Sequence, residues 1–131
     1  MKRLEKTAIL FAFALLGSGF LSAAEKLRIG IIRQVEIKSL VEAEEGVKRG
    51  FAVAGYDPSL VTYTCIDLRN DMTQVGPALE RMRKERVAAI ITVGTKASLE
   101  VLKAEKTLPV IFTGVAYSGP LVEAAKANGN A

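Results

Sequence analysis

From residue 27 onward, the hydrophobic and polar positions follow two alternating patterns. Short runs of consecutive apolar residues, rich in Ile and Val, are typical of strands that are covered on both faces. Between these runs, apolar residues recur every three or four positions with charged residues between them, which is typical of amphipathic helices. The predicted strands cover residues 27–32, 60–66, 88–93 and 109–113.

The same periodicity predicts a helix after each strand. The first covers residues 39–54, and Gly55 ends it because glycine adopts the left-handed conformation readily. The second begins near Thr73, whose hydroxyl is expected to cap the helix N-terminus. The third covers residues 96–106, and the fourth begins at residues 118–120.

Strands and helices that alternate with such short connections force parallel strands and right-handed crossovers. The predicted fold class is therefore α/β, with a doubly wound open parallel sheet of about four strands. Sheets of this kind bind ligands at the carboxyl ends of their strands. The loops expected at that edge cover residues 33–36, 67–71, 94–96 and 114–117.

The first 24 residues have the layout of a secretory signal peptide. Basic residues precede an apolar stretch over residues 8–16, and Ser22 and Ala24 are the small residues expected before cleavage at Glu25. The alternative is an uncleaved membrane anchor, but a span takes about 20 apolar residues and this segment falls short. Cleavage would leave residues 25–131 in the periplasm. It would lower the formal charge from +4 to +2, because the peptide carries three basic residues and one acidic residue.

Composition excludes several function classes. The chain has 131 residues, which suits one domain, and it contains no His and one Cys. It therefore lacks the ligands of a Cys/His zinc site and the commonest general base of enzymes. The low net charge argues against a nucleic-acid partner. Cys65 lies within an apolar strand pattern, which predicts a buried thiol.

Three positions at the expected binding edge carry candidate chemistry. Thr95 is the predicted N-cap of the third helix, whose free N–H groups and positive dipole end suit a carboxylate; the alternative is an ordinary capped helix. Tyr117 follows the fourth strand, where its ring would either stack on a ligand or cover the core. Arg33 ends the first strand, where a guanidinium is costly unless it is paired or solvated, and this favours a functional role for Arg33 over a purely structural one. The Gly94–Lys96 spacing is too short for a phosphate loop, and no cofactor or metal is predicted.

The order of several segments resembles ABC transporter substrate-binding proteins of the tryptophan or aromatic amino-acid type. These segments are Ile29-Gly30-Ile31-Ile32, residues 45–51, Ala54-Gly55-Tyr56, Asn70-Asp71-Met72, residues 90–95 and residues 109–115. The resemblance implies that residues 25–131 form the N-terminal lobe of a type I periplasmic binding protein, with the second lobe absent. Such a protein is not an enzyme. It captures a small solute, such as an amino acid, without covalent chemistry and delivers it to an ABC permease in the inner membrane.

The same resemblance implies which residues contact the ligand. Thr95, Lys96 and Ala97 match the loop that presents hydroxyls and helix amides, Tyr117 matches the opposite loop, and Gln34 comes from the first loop. Family members are about twice as long as this chain. Many carry Thr-Pro after the third strand, where this chain has Thr95-Lys96, so the ligand class stays open.

Two other functions are compatible with the sequence. An exported sensor or interaction domain would use the same lobe to bind a protein partner. An enzyme would rely on carboxylates at Glu36, Asp67 and Asp71, which lie on separate loops. A single lobe would also leave the fourth strand at or near a sheet edge, which favours self-association through that edge.

Overall fold

A computed structural model describes residues 25–129, and the predicted signal peptide, residues 1–24, lies outside the described residues. The strands are β1 (Leu27–Arg33), β2 (Val61–Asp67), β3 (Ala89–Val93) and β4 (Val110–Thr113). All neighbouring strands are parallel, and their order in the sheet is β2-β1-β3-β4. The α/β fold class with an open parallel sheet of four strands is confirmed.

A helix follows each strand, as the periodicity predicts. The helices are α1 (Lys38–Val53), α2 (Val75–Lys84), α3 (Thr95–Ala104) and α4 (Gly119–Ala127). The predicted cap at Thr73 is wrong, because a 3-10 turn over Met72–Gln74 precedes α2. The Asp71 carboxylate accepts the Thr73 N–H at 3.0 Å and caps that turn instead.

The two faces of the sheet are covered unequally. The larger core cluster joins β1, β3 and β4 to α2, α3 and α4, and its members include Ile32, Met82, Ile90, Leu102 and Leu121. The smaller cluster lies on the other face, where Leu40 of α1 packs on Ile29, Ile31, Ile91 and Val93. Because α1 is the helix that covers this second face, side chains toward the sheet edges are less buried there.

Cys65 shows the effect of an edge position. The predicted buried thiol is wrong, because β2 is an edge strand and the Cys65 side chain is exposed. Partial burial of the sulfur and its hydrogen bond to Glu44 raise the pKa of the Cys65 thiol to about 11. A continuous apolar pattern in sequence therefore does not by itself identify a central strand.

β4 occupies the opposite edge, as expected. Val110 is buried, but Ile111, the next residue, is 56% exposed on the α1 face. No helix within residues 25–129 is long and apolar enough to cross a membrane.

Candidate functional site

The loops that follow β1, β3 and β4 meet above the carboxyl ends of the strands. Gly94, between β3 and α3, has a φ of 110°, which favours glycine. A Cβ at this position would lie 2.7 Å from Gln34 Cβ and 3.2 Å from Leu40 Cδ1. The close approach of these three residues therefore requires glycine at position 94.

Gln34 connects three of the loops. Its backbone N–H donates to the Val93 carbonyl at 2.8 Å, and its carbonyl accepts the Asn70 N–H at 2.7 Å. Its side-chain Oε1 accepts the backbone N–H of Lys96 at 2.9 Å, while Nε2 donates to Asn70 Oδ1 at 3.1 Å. The side chain of Gln34 thus satisfies an N–H group in the first turn of α3, where a helix leaves its amides unpaired.

Thr95 is the first residue of α3 and does not cap it. The predicted N-cap role is wrong, because Gly94 occupies the cap position and no side chain caps the helix from there. Thr95 Oγ1 instead accepts the N–H of Ala116 at 3.0 Å. Since Ala116 follows β4, this bond fixes the β4 loop against the start of α3.

A cleft of about 260 Å³ opens between these loops. It is lined by Gln34, Leu40, Gly94, Thr95, Lys96, Gly114 and Ala116. The N-terminus of α3 borders it, and the positive end of a helix dipole favours a bound anion or carboxylate. The cleft therefore combines an apolar wall with a helix terminus, which suits a small solute that carries a negative group.

Arg33 lies beside Gln34 but is engaged by the protein itself. Nη1 donates to Glu44 Oε2 at 2.5 Å, and Nη2 donates to Asp67 Oδ2 at 3.2 Å. Burial disfavours the charged guanidinium, but the hydrogen bond to Asp67 and the charge of Glu44 outweigh it and raise the pKa of Arg33. Of the alternatives open for this residue, the structure shows the paired one.

The three carboxylates considered for an enzyme also have structural partners. Asp67 and Glu36 lie 3.2 Å and 3.8 Å from Arg33 Nη2, and Asp71 caps a 3-10 turn. Within residues 25–129, no group of three or more His, Cys, Asp or Glu side chains is placed to hold a metal ion.

The model of the family described as ABC transporter substrate binding protein matches residues 28–131, which is most of the chain. The chain belongs to this family. The comparison with curated proteins found no match to the chain.

Three solved structures share the fold of this family member. A domain from Streptococcus pneumonia in complex with L-Trp has a TM-score of 0.65 and 22% identity, over 72% of this chain and 32% of that one. A ligand-free, open substrate-binding protein with adhesive properties from Clostridium difficile has a TM-score of 0.63 and 21% identity, and the match covers 75% of this chain and 32% of that one. A conserved domain protein from Vibrio cholerae has a TM-score of 0.65 and 17% identity, and the match covers 72% of this chain and 32% of that one. The chain thus spans about a third of the length of each of these structures.

The five residues predicted to contact the ligand lie in three different environments: the cleft, the core and the exposed surface. Gln34, Thr95 and Lys96 line the cleft. Ala97 is wholly buried in the core cluster, so it exposes no atom to the cleft. Tyr117 is 69% exposed beyond the β4 loop, and its ring lies beside Gly119.

Three residues that line the cleft were not predicted from the sequence. In the sequence, Leu40 is an ordinary apolar position of α1, and only the tertiary packing places it against Gly94 and Gly114. Gly114 and Ala116 fall within a loop that the strand pattern does mark as part of the binding edge. Their small size leaves the cleft open, but small loop residues give no chemical signal in a sequence.

Proposed function

We propose that this chain is the solute-binding component of an ABC importer, or one lobe of it, and that it binds a small solute in the cleft beside the α3 N-terminus. The observation that carries this proposal is the convergence of Gln34, Thr95 and Lys96 on one cleft in a member of this family. Residues 1–24 act as a cleaved signal peptide, residues 25–131 form an N-terminal lobe in the periplasm, and the loaded protein delivers the solute to an inner-membrane permease.

The proposed ligand carries a carboxylate, as an amino acid does. The α3 dipole and the exposed ammonium group of Lys96 both favour a negative group at this position. The bound L-Trp of the Streptococcus pneumonia domain supports an amino acid. In the structure, Gln34 Oε1 accepts the Lys96 N–H. In the proposed complex, a carboxylate oxygen of the ligand replaces Gln34 Oε1 as the acceptor of this N–H group. Tyr117 then covers the ligand from the β4 side.

One lobe encloses a ligand on one side only. Tight small-molecule sites bury 70–90% of the ligand surface, which a single open cleft does not achieve. We therefore expect weak binding by this chain alone, with a Kd on the order of 0.1–1 mM, and tighter binding if a second lobe closes over the cleft.

The experiment is ligand titration of the purified protein with a panel of amino acids and small carboxylates, followed by thermal shift and by NMR. We expect at least one carboxylate solute to raise the melting temperature and to shift the Gly94, Thr95 and Lys96 amide resonances. Its uncharged amide or ester analogue should bind more weakly, because it lacks the negative charge. If no member of the panel perturbs these resonances at millimolar concentration, the proposal is wrong.

Three variants separate the ligand site from general stability. Gln34→Glu places a permanent carboxylate at the Lys96 N–H, so it should preserve the fold and reduce ligand affinity at least tenfold by competition and repulsion. Lys96→Met should weaken carboxylate binding about threefold to tenfold. Lys103→Met, which removes an exposed ammonium group near the other end of α3, should leave affinity unchanged. Equal affinity in Gln34→Glu and the parent would contradict the proposed exchange.

A further inference from the structure

The backbone and the side chain of Asn70 both contact Gln34 from the loop that follows β2. The Asn70 N–H donates to the Gln34 carbonyl at 2.7 Å, and Asn70 Oδ1 accepts a hydrogen bond from Gln34 Nε2 at 3.1 Å. At the other end of the same side-chain amide, Gln34 Oε1 accepts the Lys96 N–H at 2.9 Å. The Gln34 side chain therefore joins the β2 loop to the first turn of α3.

The backbone conformation at position 70 suits the residue that is found there. Asn70 has a φ of 61°, in the left-handed region, where Gly, Asn and Asp are the residues most often found. Of these three, only Asn and Asp present an acceptor oxygen to Gln34. The Leu68 carbonyl accepts the Asp71 N–H at 2.9 Å and closes the turn that contains Asn70. The acceptor oxygen of Asn70 is thus presented from a loop whose shape is fixed by its own backbone bonds.

The two hydrogen bonds of the Gln34 side chain support the same orientation of its amide. A glutamine amide carries a donor, Nε2, and an acceptor, Oε1. The Lys96 N–H can only donate, so Oε1 faces Lys96 and Nε2 faces Asn70 Oδ1. In the reversed orientation, N–H groups of Gln34 and Lys96 would face each other and neither would be satisfied. Asn70 therefore holds Gln34 in the orientation that occupies the Lys96 N–H.

We propose that Asn70 is a positioning residue that sets the ligand affinity of the cleft, because it holds Gln34 as an internal competitor for the Lys96 N–H. This inference rests on the proposed function, in which a carboxylate oxygen of the ligand replaces Gln34 Oε1. The planar amide of Gln34 moves as one unit, so displacement of Oε1 also breaks the bond between Nε2 and Asn70. The ligand thus binds the fraction of molecules in which Gln34 is displaced, and the apparent Kd is the intrinsic Kd divided by that fraction.

Loss of the Asn70 acceptor should strengthen ligand binding, whereas general damage to the site would weaken it. The net contribution of a hydrogen bond between neutral groups corresponds to about a two- to tenfold change in an equilibrium constant. Asn70→Gly removes Oδ1 but tolerates the φ of 61° and keeps the backbone bond to the Gln34 carbonyl. We expect this variant to lower the Kd of a carboxylate solute about two- to tenfold. Its uncharged amide analogue should gain by the same factor, because Gln34 competes equally with both solutes.

The first test needs no ligand and measures amide hydrogen exchange at Lys96 by NMR. Asn70→Gly should raise the exchange rate of the Lys96 N–H about two- to tenfold, because Gln34 leaves this group more often. Asn70→Asp keeps an acceptor oxygen, so exchange should be no faster than in the parent. Arg69→Gly is the matched control, because Arg69 is exposed and has a φ of 53°, and it should leave the rate unchanged. An unchanged rate in Asn70→Gly overturns the proposal.

The second test titrates the parent and Asn70→Gly with acetate and with acetamide, the matched uncharged probe, and follows the Lys96 resonance. We expect both probes to bind Asn70→Gly more tightly than the parent, by a common factor. Weaker binding, unchanged binding, or a gain for one probe alone overturns the proposal, because a competitor acts on both probes alike. If neither acetate nor any other carboxylate shifts the Lys96 resonance, the proposed function is wrong. The exchange rates of the ligand-free protein then still decide whether Asn70 holds Gln34 on the Lys96 N–H.

Discussion

Replacement of Glu44 by Gln tests whether the charged cluster formed by Arg33, Glu44, Lys48 and Asp67 stabilises the fold. The Glu44 side chain is 6% exposed, and it accepts hydrogen bonds from Arg33 at 2.5 Å and from Lys48 at 2.9 Å. Glutamine keeps the shape and one acceptor oxygen, but it removes the negative charge and turns an N–H₂ group toward a cation. The variant therefore isolates the charge from the packing.

The magnitude follows from the burial of Arg33. Its side chain is 15% exposed, and without Glu44 its remaining carboxylate partners are Asp67 at 3.2 Å and the exposed Glu36 at 3.8 Å. Breaking one partner of a buried ion pair costs about 3–5 kcal/mol. Because Arg33 keeps Asp67 and Lys48 is partly solvated, we expect Glu44→Gln to lower the free energy of unfolding by about 2–3 kcal/mol. Such a loss is a large fraction of the stability of a small domain.

Urea unfolding at pH 7, followed by circular dichroism, measures this loss. Glu42→Gln is the matched control: Glu42 lies on the same helix, is 64% exposed and faces Lys38 at 3.8 Å, so the cost should stay below about 0.5 kcal/mol. Burial alone would raise the pKa of Glu44, but hydrogen bonds from Lys48 and Cys65 and the nearby cations lower it. The parent should therefore be stabilised above pH 4.5 and lose this contribution as the pH falls, whereas the variant should not. A loss below about 1 kcal/mol, with an unchanged acid profile, would refute the reasoning.

Three further predictions concern single residues. Because the pKa of Cys65 is raised to about 11, its thiol should react with Ellman's reagent at pH 8 about 10–100 times more slowly than a free cysteine, and Glu44→Gln should accelerate the reaction. Glu105 is wholly buried and accepts the N–H groups of Thr107 and Leu108. Glu105→Ala should therefore lower the free energy of unfolding in urea by about 3 kcal/mol, and Glu105→Gln should lower it clearly less. Equal losses in the two variants would contradict this prediction. Gly94→Ala should lower the free energy of unfolding by about 2–4 kcal/mol and abolish the ligand-induced thermal shift, because the alanine Cβ would displace the Gln34 side chain. A thermal shift equal to that of the parent would contradict this prediction.

Most of the fold follows from the periodicity of the sequence. The change between consecutive apolar runs and three- or four-residue steps locates the strands and helices, and short connections then force a parallel sheet. Strand order does not follow in the same way. Cys65 shows the consequence, because a strand at the sheet edge and a strand at its centre both read as apolar runs. The capping residue before α2 was also not predictable from the pattern, because the Asp71 side chain, and not Thr73, caps the 3-10 turn that precedes this helix.

The candidate site was predictable in place but not in detail. Parallel topology assigns the binding edge to the loops after each strand, and Gln34, Thr95 and Lys96 do line one cleft there. The hydrogen-bond partners depend on how the loops pack, so Thr95 binds Ala116 rather than capping α3. Leu40 enters the cleft because two glycines in different loops allow its approach, which no local pattern encodes.

The site and the charged cluster are coupled through two adjacent residues, the last residue of β1 and the first residue of the loop that follows it. Arg33 holds the end of β1 against Glu44 of α1 and Asp67 of β2, and Gln34, the next residue, bonds to Asn70 and Lys96. These contacts fix the loops before any ligand arrives, so a bound solute has little backbone to order on this side of the cleft. Within the described chain, the rearrangement that our proposal requires for binding is the displacement of the Gln34 side chain from the Lys96 N–H. If the chain is one lobe of a receptor, as we propose, it would contribute a preformed half-site, and the affinity of the receptor would then depend on the surface that closes over this cleft.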